Sequence, residues 1–410
     1  MKTKLSLTAG LSKKSKITIV VGTALTALSS FSSQAGSNTF TALQNAVTEG
    51  STSISMRYRY ENVDQDGIDK DANASTLRTR LSWKSSDFNG FIANIEVDNI
   101  SLIGNDNFNS TANRKGQYPV VADPKGTDLN QAYITYRSGD SLFSAGRQRI
   151  NHGDQRFVGG VGWRQNEQTY DGYRLQYDNQ NKLSFDFSYI YNVNRIFGPT
   201  GDNADLHGAL LLLTGSYKID KAHKLSAYAY NLDFDTALAL SSRTIGLTYD
   251  GQISTLNVHA AYASQADAGD NPVDYSADYI ALEVGTTVSS IKLALGYELL
   301  GSDNAKGFAT PLATLHKFQG FADKFLATPT NGVEDIYLKV STKYNKLGLS
   351  AVWHELSSDS TNIDYGSELD LTASYPLADK IGILLKYANF SADDFATDTS
   401  KLWAMANVKF

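Results

Sequence analysis

The sequence predicts an all-β protein, a transmembrane antiparallel up-and-down β-barrel of about 18 strands, with 16 strands as the other possibility. Apolar and polar residues alternate with a period of two through nearly the whole chain after residue 50. The connections between these stretches alternate between short polar turns and long polar segments. An even strand number with short periplasmic turns and long extracellular loops is typical of an outer-membrane barrel. Because a bilayer offers no water to unpaired backbone groups, such a sheet must close on itself.

Composition alone suggests a different class of protein. The chain has 410 residues, a formal net charge of −6 and no cysteine, and its mean hydropathy is −0.30. The lack of cysteine excludes a disulfide framework and a thiol nucleophile, and the mean hydropathy argues against a polytopic helical membrane protein. The length suggests two or three soluble domains. A membrane barrel with one lipid-facing and one wet face has the same average hydropathy as a soluble protein. The alternation of apolar and polar residues therefore decides between these two classes.

The amino-terminal segment predicts export from the cytoplasm. An apolar run at 17–31 follows a lysine-rich stretch, and Ser33 and Ala35 place small residues at −3 and −1 of a cut after Ala35. This is the arrangement of a secretory signal peptide, since so short a run does not span a bilayer. We expect residues 1–35 to be a signal peptide and residues 36–410 to be a single outer-membrane barrel domain. Loss of the five lysines in 1–35 changes the formal net charge from −6 to −11.

The alternating stretches give the expected strands in order. The first three run through 54–61, 77–84 and 91–98, each with one apolar and one polar face. Successive side chains of a strand point to opposite sides of the sheet, so one face meets lipid and the other meets water. The remaining strand centres are expected near residues 133, 145, 174, 187, 212, 227, 246, 258, 280, 294, 338, 350, 371, 384 and 404.

The connections alternate in length. Short turns are expected at 85–90, 138–141, 178–182, 219–223, 250–252, 287–290, 344–346 and 376–380. Longer loops are expected at 62–74, 99–127, 150–167, 193–207, 233–242, 264–274, 301–333, 357–363 and 391–398. The last strand ends in Phe410 with alternate apolar residues before it, and tyrosines and tryptophans near strand ends suit aromatic girdles at the two membrane interfaces.

Two long loops have distinctive sequences. Loop 150–167 contains glycines that permit tight bends and charged residues, Arg156 and Arg164 among them, that suit a constriction folded into the pore. Loop 301–333 is the longest. Within it, Thr310 and Pro311 open a stretch of apolar residues at helical spacing that ends at Leu326, which predicts a helical segment. The alternative for this loop is an exposed ledge.

Arginine is confined to the first part of the chain. All 13 arginines lie between Arg57 and Arg243, and many have polar-face parity on sequential strands. They therefore predict a basic wall over one sector of the lumen, although Arg147 shares a face with Phe143 and Ala145. The expected pore-lining residues are Arg57, Arg59, Arg78, Arg80, Arg137, Arg147, Arg149, Arg156, Arg164, Arg174, Glu96 and Asp98.

The basic wall has two interpretations. Arginines and acids such as Glu96 and Asp98 can simply neutralise one another across a wet interior. Alternatively, a basic strip that faces acids makes a transverse field that orients and selects anionic solutes. Arginine suits the second role, because it is always charged and binds carboxylate, phosphate or sulfate oxygens with two parallel hydrogen bonds.

Three stretches carry a resemblance to a known family. GRQRINHGDQRFVGGVGWRQNEQTYDG (146–172), GFATPLATLHKFQGFADKFLATPTNGVED (307–335) and the opening TALQNAVTEGSTSISMRYRYENV (41–63) resemble the alginate-export-type outer-membrane porin family. The resemblance spans most of the chain after the signal peptide. It implies an 18-stranded barrel with an arginine-lined pore that suits anionic saccharides. It also implies a pore role for the basic positions in and before loop 150–167.

Motifs of enzymes and metal sites are missing from the sequence. The six histidines are dispersed, and G-x-S-x-G, P-loop and HExxH patterns do not occur. An acidic run at 64–71 resembles a calcium loop, but Ile68 breaks the EF-hand ligand pattern. We therefore expect a protein that is not an enzyme, with no catalytic residues, no metal and no cofactor.

These patterns lead to one functional hypothesis and two alternatives. The leading hypothesis is a passive diffusion channel in the Gram-negative outer membrane for small hydrophilic, preferentially anionic solutes, acidic saccharides included. The alternatives are a dedicated exporter of an acidic polysaccharide such as alginate and a closed structural or adhesion barrel. Expected partners are outer-membrane lipid, lipopolysaccharide, the solutes and, during biogenesis, the barrel-assembly machinery. Nucleic acid is not expected, and both a monomer and a trimer fit the sequence.

Overall fold

The computed structural model describes residues 37–410, which form a closed antiparallel β-barrel of 18 strands. The predicted signal peptide, 1–35, lies outside the described residues. Each strand pairs with its neighbours in the chain, and the ring closes because β1 pairs with both β2 and β20. A further two-stranded hairpin, β14 with β15, lies within one loop.

The described residues begin with one α-helix, α1 (Ser37–Thr48). The strands are β1 (Ser51–Gln65), β2 (Ala72–Lys84), β3 (Phe91–Asn107), β4 (Gly126–Ser138), β5 (Ser141–Gln148), β6 (Thr169–Asp178), β7 (Leu183–Asn194), β8 (Asp205–Lys218), β9 (His223–Phe234), β10 (Ser242–Ile253), β11 (Leu256–Asp267), β12 (Ser276–Val288), β13 (Ile291–Leu300), β14 (Ser302–Asp303), β15 (Lys306–Gly307), β16 (Val333–Tyr344), β17 (Leu347–Ser357), β18 (Asp364–Ala378), β19 (Ile381–Ala392) and β20 (Thr399–Lys409). Two 3-10 turns lie at Leu238–Leu240 and Leu315–Lys317.

The predicted fold class is confirmed. Every strand centre expected from the alternation lies within an observed barrel strand. The alternation also appears in the exposure of the side chains: on β16, Ile336 and Leu338 are exposed on the outside, whereas Asp335 is 1% exposed on the inside. In the part of the chain that the structure describes, no helix is long and apolar enough to cross a membrane.

Two local features differ from expectation. The segment before the first strand forms α1, whose Ala46 is buried and accepts a hydrogen bond from the Ser86 amide in the β2–β3 turn. The helix expected from Thr310 to Leu326 does not form, and only the 3-10 turn Leu315–Lys317 remains. The reason is that the Leu312 carbonyl, which an α-helix would need, accepts hydrogen bonds from the Gly159 amide and the Gln168 side chain instead.

Two loops fill the interior. L3 (149–168) connects β5 to β6, and L7 (301–332) connects β13 to β16. Ile150 and Val158 of L3 and Phe308 and Leu312 of L7 belong to one buried apolar cluster that also includes Tyr230 of the barrel wall. The apolar core of this protein therefore lies inside the ring, where the two loops meet the wall.

Candidate functional site

The tip of L3 is held by two arginines of β1. Arg57 donates hydrogen bonds to the carbonyl oxygens of Gly162 and Trp163 at 2.9 and 3.2 Å. Arg59 donates to the Trp163 carbonyl as well, and its guanidinium lies 4.2 Å from the centre of the Trp163 ring. A charged donor to a backbone carbonyl makes a strong hydrogen bond, so β1 fixes where the loop turns back.

Glu167 of L3 is the centre of a second group of arginines. Its carboxylate is 3.0 Å from Arg80 and 3.7 Å from Arg78, and it also binds Arg149. Arg80 in turn forms a two-pronged pair with Asp98 at 2.7 and 2.6 Å. Burial opposes ionisation of Glu167, but the three arginines outweigh it and lower its pKa to about 2. L3 therefore brings a permanent negative charge into a group of arginines that we call the arginine sector: Arg57, Arg59, Arg78, Arg80 and Arg149.

A third group joins L3 to L7. Arg164 of L3 is 3.1 Å from Glu61 on β1 and 3.2 Å from Asp323 of L7. Asp323 also binds Lys401 of β20 at 2.8 Å and His316 of L7 at 2.7 Å. Burial opposes ionisation of Asp323, but Lys401, His316 and Arg164 hold its pKa well below the usual range. We call the Arg164–Asp323 contact the clasp.

L7 is bound through its backbone to β18, on the side of the ring that contains the β1–β20 seam. The amides of Phe321 and Ala322 donate to Asp370 and Glu368 of β18 at 3.0 and 2.6 Å. His316 stacks on Trp163 of L3, with ring centres 4.4 Å apart. Burial, together with the nearby charge of Lys386, lowers the pKa of His316 well below its usual value, so the ring is neutral.

The two loops also touch through their backbones. Val158 and Leu312 form a parallel bridge, and the Thr314 amide donates to the Gln155 carbonyl at 3.0 Å. Beside this bridge, Arg156 of L3 is 2.7 Å from Glu298 on β13 and 3.3 Å from the Gln319 side chain of L7. L3 and L7 together therefore form the constriction, with contacts to β1, β13, β18 and β20.

Most of the expected pore-lining residues come together at this constriction. Arg57, Arg59, Arg78, Arg80, Arg149, Arg156, Arg164, Glu96 and Asp98 all contact L3 or a residue bound to it. Arg174 faces inward too and pairs with Asp186 of β7. In β1 and β2, Arg57 and Arg78 are direct register partners.

Two of the expected residues lie elsewhere. Arg147 has the same strand-face parity as Phe143, which is 49% exposed on the outside of the barrel, so the structure does not place it on the lumen side. Its guanidinium pairs with its cross-strand neighbour Asp171 at 2.8 Å, which satisfies the charge on that face. Arg137 is exposed at the periplasmic end of β4, away from the constriction.

Sequence reasoning predicted Glu96 and Asp98 but missed three other carboxylates that neutralise the arginines, namely Glu61, Asp123 and Glu167. Glu61 and Asp123 bind Arg164 and Arg59, and both are fully buried. Asp123 and Glu167 lie in irregular loops, where strand parity gives no direction. Glu61 has the same parity as Arg57 and Arg59, which is the one signal that predicts its inward orientation.

In residues 37–410, no group of three or more histidine, aspartate or glutamate side chains has an arrangement that could hold a metal ion. The acidic run at 64–71 in the first loop has no such arrangement either.

The chain matches one family model, and its fold matches several solved structures. A model of the family described as alginate export matches residues 49–300. The fold is similar to OccAB4 of Acinetobacter baumannii, with a TM-score of 0.69 at 16% identity over 89% of this chain and 99% of that one. It is also similar to OccD3 (OpdP) of Pseudomonas aeruginosa, with a TM-score of 0.65 at 17% identity over 89% of this chain and 92% of that one. The structure of OpdK of Pseudomonas aeruginosa with vanillate gives a TM-score of 0.68 at 11% identity over 89% of this chain and 99% of that one. None of the curated proteins compared with the chain matches it.

Proposed function

Since the chain belongs to the alginate-export family and is a porin-type barrel of the Gram-negative outer membrane, we propose that it is a passive diffusion channel for small hydrophilic, preferentially anionic solutes. The expected partners in the membrane are lipid and lipopolysaccharide. Solutes pass the constriction between L3, L7 and the arginine sector.

The observation that carries the proposal is the pair Arg57 and Arg78. The two side chains lie opposite each other on β1 and β2 and face the constriction. Arg57 bonds only to the Asn407 amide and to backbone carbonyls, and Arg78 comes no closer than 3.7 Å to a carboxylate. Nε and Nη1 of Arg78 are buried without a hydrogen-bond partner in the described residues. The positive charge of these two guanidinium groups is thus balanced less closely than that of the neighbouring arginines, and it attracts an anion to the constriction.

The surrounding ion pairs suit a channel better than a tight binding site. Arg80, Arg149 and Arg164 are each within 3.1 Å of a carboxylate, so most of the local charge is balanced. Conduction needs sites that attract a solute but release it again. A small excess of positive charge among balanced pairs meets both conditions.

The decisive measurement is the reversal potential of refolded protein in a planar bilayer under a KCl gradient. We expect an anion-selective current, and we expect R57Q/R78Q to lower the anion-to-cation permeability ratio severalfold, since the unbalanced charge is removed. R147Q is the matched control, because Arg147 lies on the outer face, and it should leave the ratio unchanged. A cation-selective wild type, or a ratio that R57Q/R78Q does not change, contradicts the proposal.

The family match supports a second candidate, export of an acidic polysaccharide. A polymer would have to pass between L3 and L7, so export requires that the contacts between these two loops part. Deletion of the gene would then abolish secretion of an acidic polymer, whereas loss of a diffusion channel would only slow uptake or efflux of small anions. Absence of any conductance would favour the third hypothesis, a closed structural barrel.

A further inference from the structure

The helix α1 carries an exposed apolar stripe. Phe40, Leu43 and Val47 recur at i, i+3 and i+7, which places them along one side of the helix. Phe40 is 70% exposed and Val47 is 52% exposed, while Leu43 is half-buried. We call Phe40, Leu43 and Val47 the α1 stripe. Contiguous exposed apolar surface usually marks a place that another molecule covers.

Two contacts fix α1 against the rim of the barrel. The carbonyl oxygen of its buried Ala46 accepts a hydrogen bond from the Ser86 amide in the β2–β3 turn at 2.9 Å. Only Glu49 and Gly50 separate α1 from β1, and a Cβ on Gly50 would lie 2.7 Å from Nε1 of Trp83. Short turns lie at the periplasmic end of such a barrel. The helix therefore lies at the boundary between the membrane and the periplasm.

These contacts are on the outer side of the rim. Trp83 has the same strand parity as Leu81, which is exposed on the lipid-facing side of β2. The β2–β3 turn leads into Phe91, which is also exposed on the outside and whose ring centre is 4.6 Å from that of Tyr136. Aromatic side chains at this level mark where a barrel meets the lipid headgroups. The α1 stripe therefore adjoins the lipid-facing surface of the barrel and not the lumen.

The composition of α1 suits a lipid interface. The helix contains no charged side chain from Ser37 to Thr48, so no ionised group has to leave water when the helix lies among headgroups. Its polar residue Asn45 lies on the side opposite the stripe. Basic residues usually strengthen the binding of such helices to a membrane. Here the covalent link to β1 replaces that attraction, because it holds the helix at the interface at high effective concentration.

The size of the stripe argues against a second protein chain as its partner. A stable contact between two chains takes about 20 to 30 residues on each side. The α1 stripe has three, and its neighbours on the helix are small or polar. Three apolar side chains are enough, however, to hold a tethered helix in lipid, because each buried side chain contributes roughly 1.5–3 kcal/mol.

We infer that the α1 stripe is a lipid-binding surface. The helix lies flat in the headgroup region of the periplasmic leaflet and inserts the stripe roughly 5–10 Å toward the acyl chains of its phospholipids. This contact is independent of which solute the pore conducts. Since α1 leads directly into β1, which pairs with β20 to close the ring, the contact holds the first strand of the seam at the membrane.

The test is a spin-label scan of α1 in vesicles of phosphatidylethanolamine and phosphatidylglycerol. The chain has no cysteine, so F40C, L43C, V47C and N45C each carry one nitroxide. The measured quantity is the collision rate of the nitroxide with oxygen, which concentrates in lipid, divided by its collision rate with a water-soluble nickel chelate. We expect this ratio to be at least about threefold higher at the three stripe positions than at N45C, the matched position on the polar side.

Two reference labels calibrate the scan in the same folded barrel. L81C on the outer face gives the value for lipid, and D69C in the first loop gives the value for water. With the label at L43C, F40Q/V47Q should lower the ratio to that of D69C, whereas F40L/V47I should keep it.

Three results would overturn the inference. One is a ratio at the stripe that equals the ratio at N45C or at D69C. Another is a ratio at L43C that F40Q/V47Q leaves unchanged. The third is magnetic broadening between V47C labels that disappears when labelled chains are diluted with unlabelled chains, since it would assign the stripe to contact with a second copy.

Discussion

Glu167 controls how much of the arginine charge a solute experiences. Its carboxylate contacts Arg78, Arg80 and Arg149 at once. Without this carboxylate, the three guanidinium groups would lose their shared partner. The net charge of the arginine sector would then become strongly positive. At this scale, the selectivity of the channel depends on an acid of L3 as much as on the arginines of the wall.

E167Q should therefore raise the anion-to-cation permeability ratio severalfold while it loosens L3. The pKa of Glu167 is lowered to about 2, below the value of roughly 4.3 in an unfolded chain. The stabilisation that ionised Glu167 gives the folded protein is thus complete at a pH above the pKa of the unfolded chain, and it is lost as the pH falls through about 2. The difference in this permeability ratio between the wild type and E167Q should stay constant from pH 7 down to roughly pH 4. A difference that disappears between those values would show that Glu167 is protonated there.

L3 and L7 act as one element because they bind each other as well as the wall. The clasp is buried, and Asp323 has three cationic or histidine partners. Removal of one partner leaves the others unpaired in a place that water hardly reaches, and this is the most costly way to break a buried ion pair.

D323N should therefore lower the free energy of unfolding by about 3 kcal/mol or more, measured by urea denaturation of refolded protein. It should also increase the open-channel current noise, since L7 is released on one side. In R164Q/D323N the loss should be smaller than the sum of the two single losses, because the partners contact each other. Strict additivity would mean that the clasp does not couple the loops. T248R, an inward substitution remote from the clasp, serves as the control for the noise.

The strands could be predicted from the sequence, but the interior could not. A period of two reports which face of a strand meets lipid, and all 18 barrel strands follow it. L3 and L7 have no such period, so their positions depend on tertiary contacts. The apolar residues at helical spacing in L7 contact L3 and the barrel wall instead of forming a helix.

At the scale of the whole molecule, the barrel wall lies between two solvents, lipid on the outside and water in the lumen. Leu247 on the outer face of β10 is 47% exposed to the lipid side, and the adjacent Thr248 points into the lumen near Asp250. Neighbours in the chain therefore experience hydrocarbon and water respectively, although their backbone hydrogen bonds are alike.

L247R should thus cost about 2–4 kcal/mol of folding free energy, because it places a charge near the bilayer midplane. T248R, one residue farther along the same strand, should cost much less, since its charge enters the wet lumen. Unfolding of both variants in lipid vesicles at increasing urea concentration measures the difference. Equal losses for the two variants would contradict the assigned orientation of β10.

The β1–β20 seam also completes the set of groups that hold the constriction. Arg57 and Arg59, which hold the tip of L3, lie on the first strand, while Lys401, which holds L7 through Asp323, lies on the last. The full set of contacts around L3 and L7 therefore forms only when the first and last strands are paired. An open seam would separate the side chains that hold one loop from those that hold the other, so closure of the ring and formation of the filter are coupled.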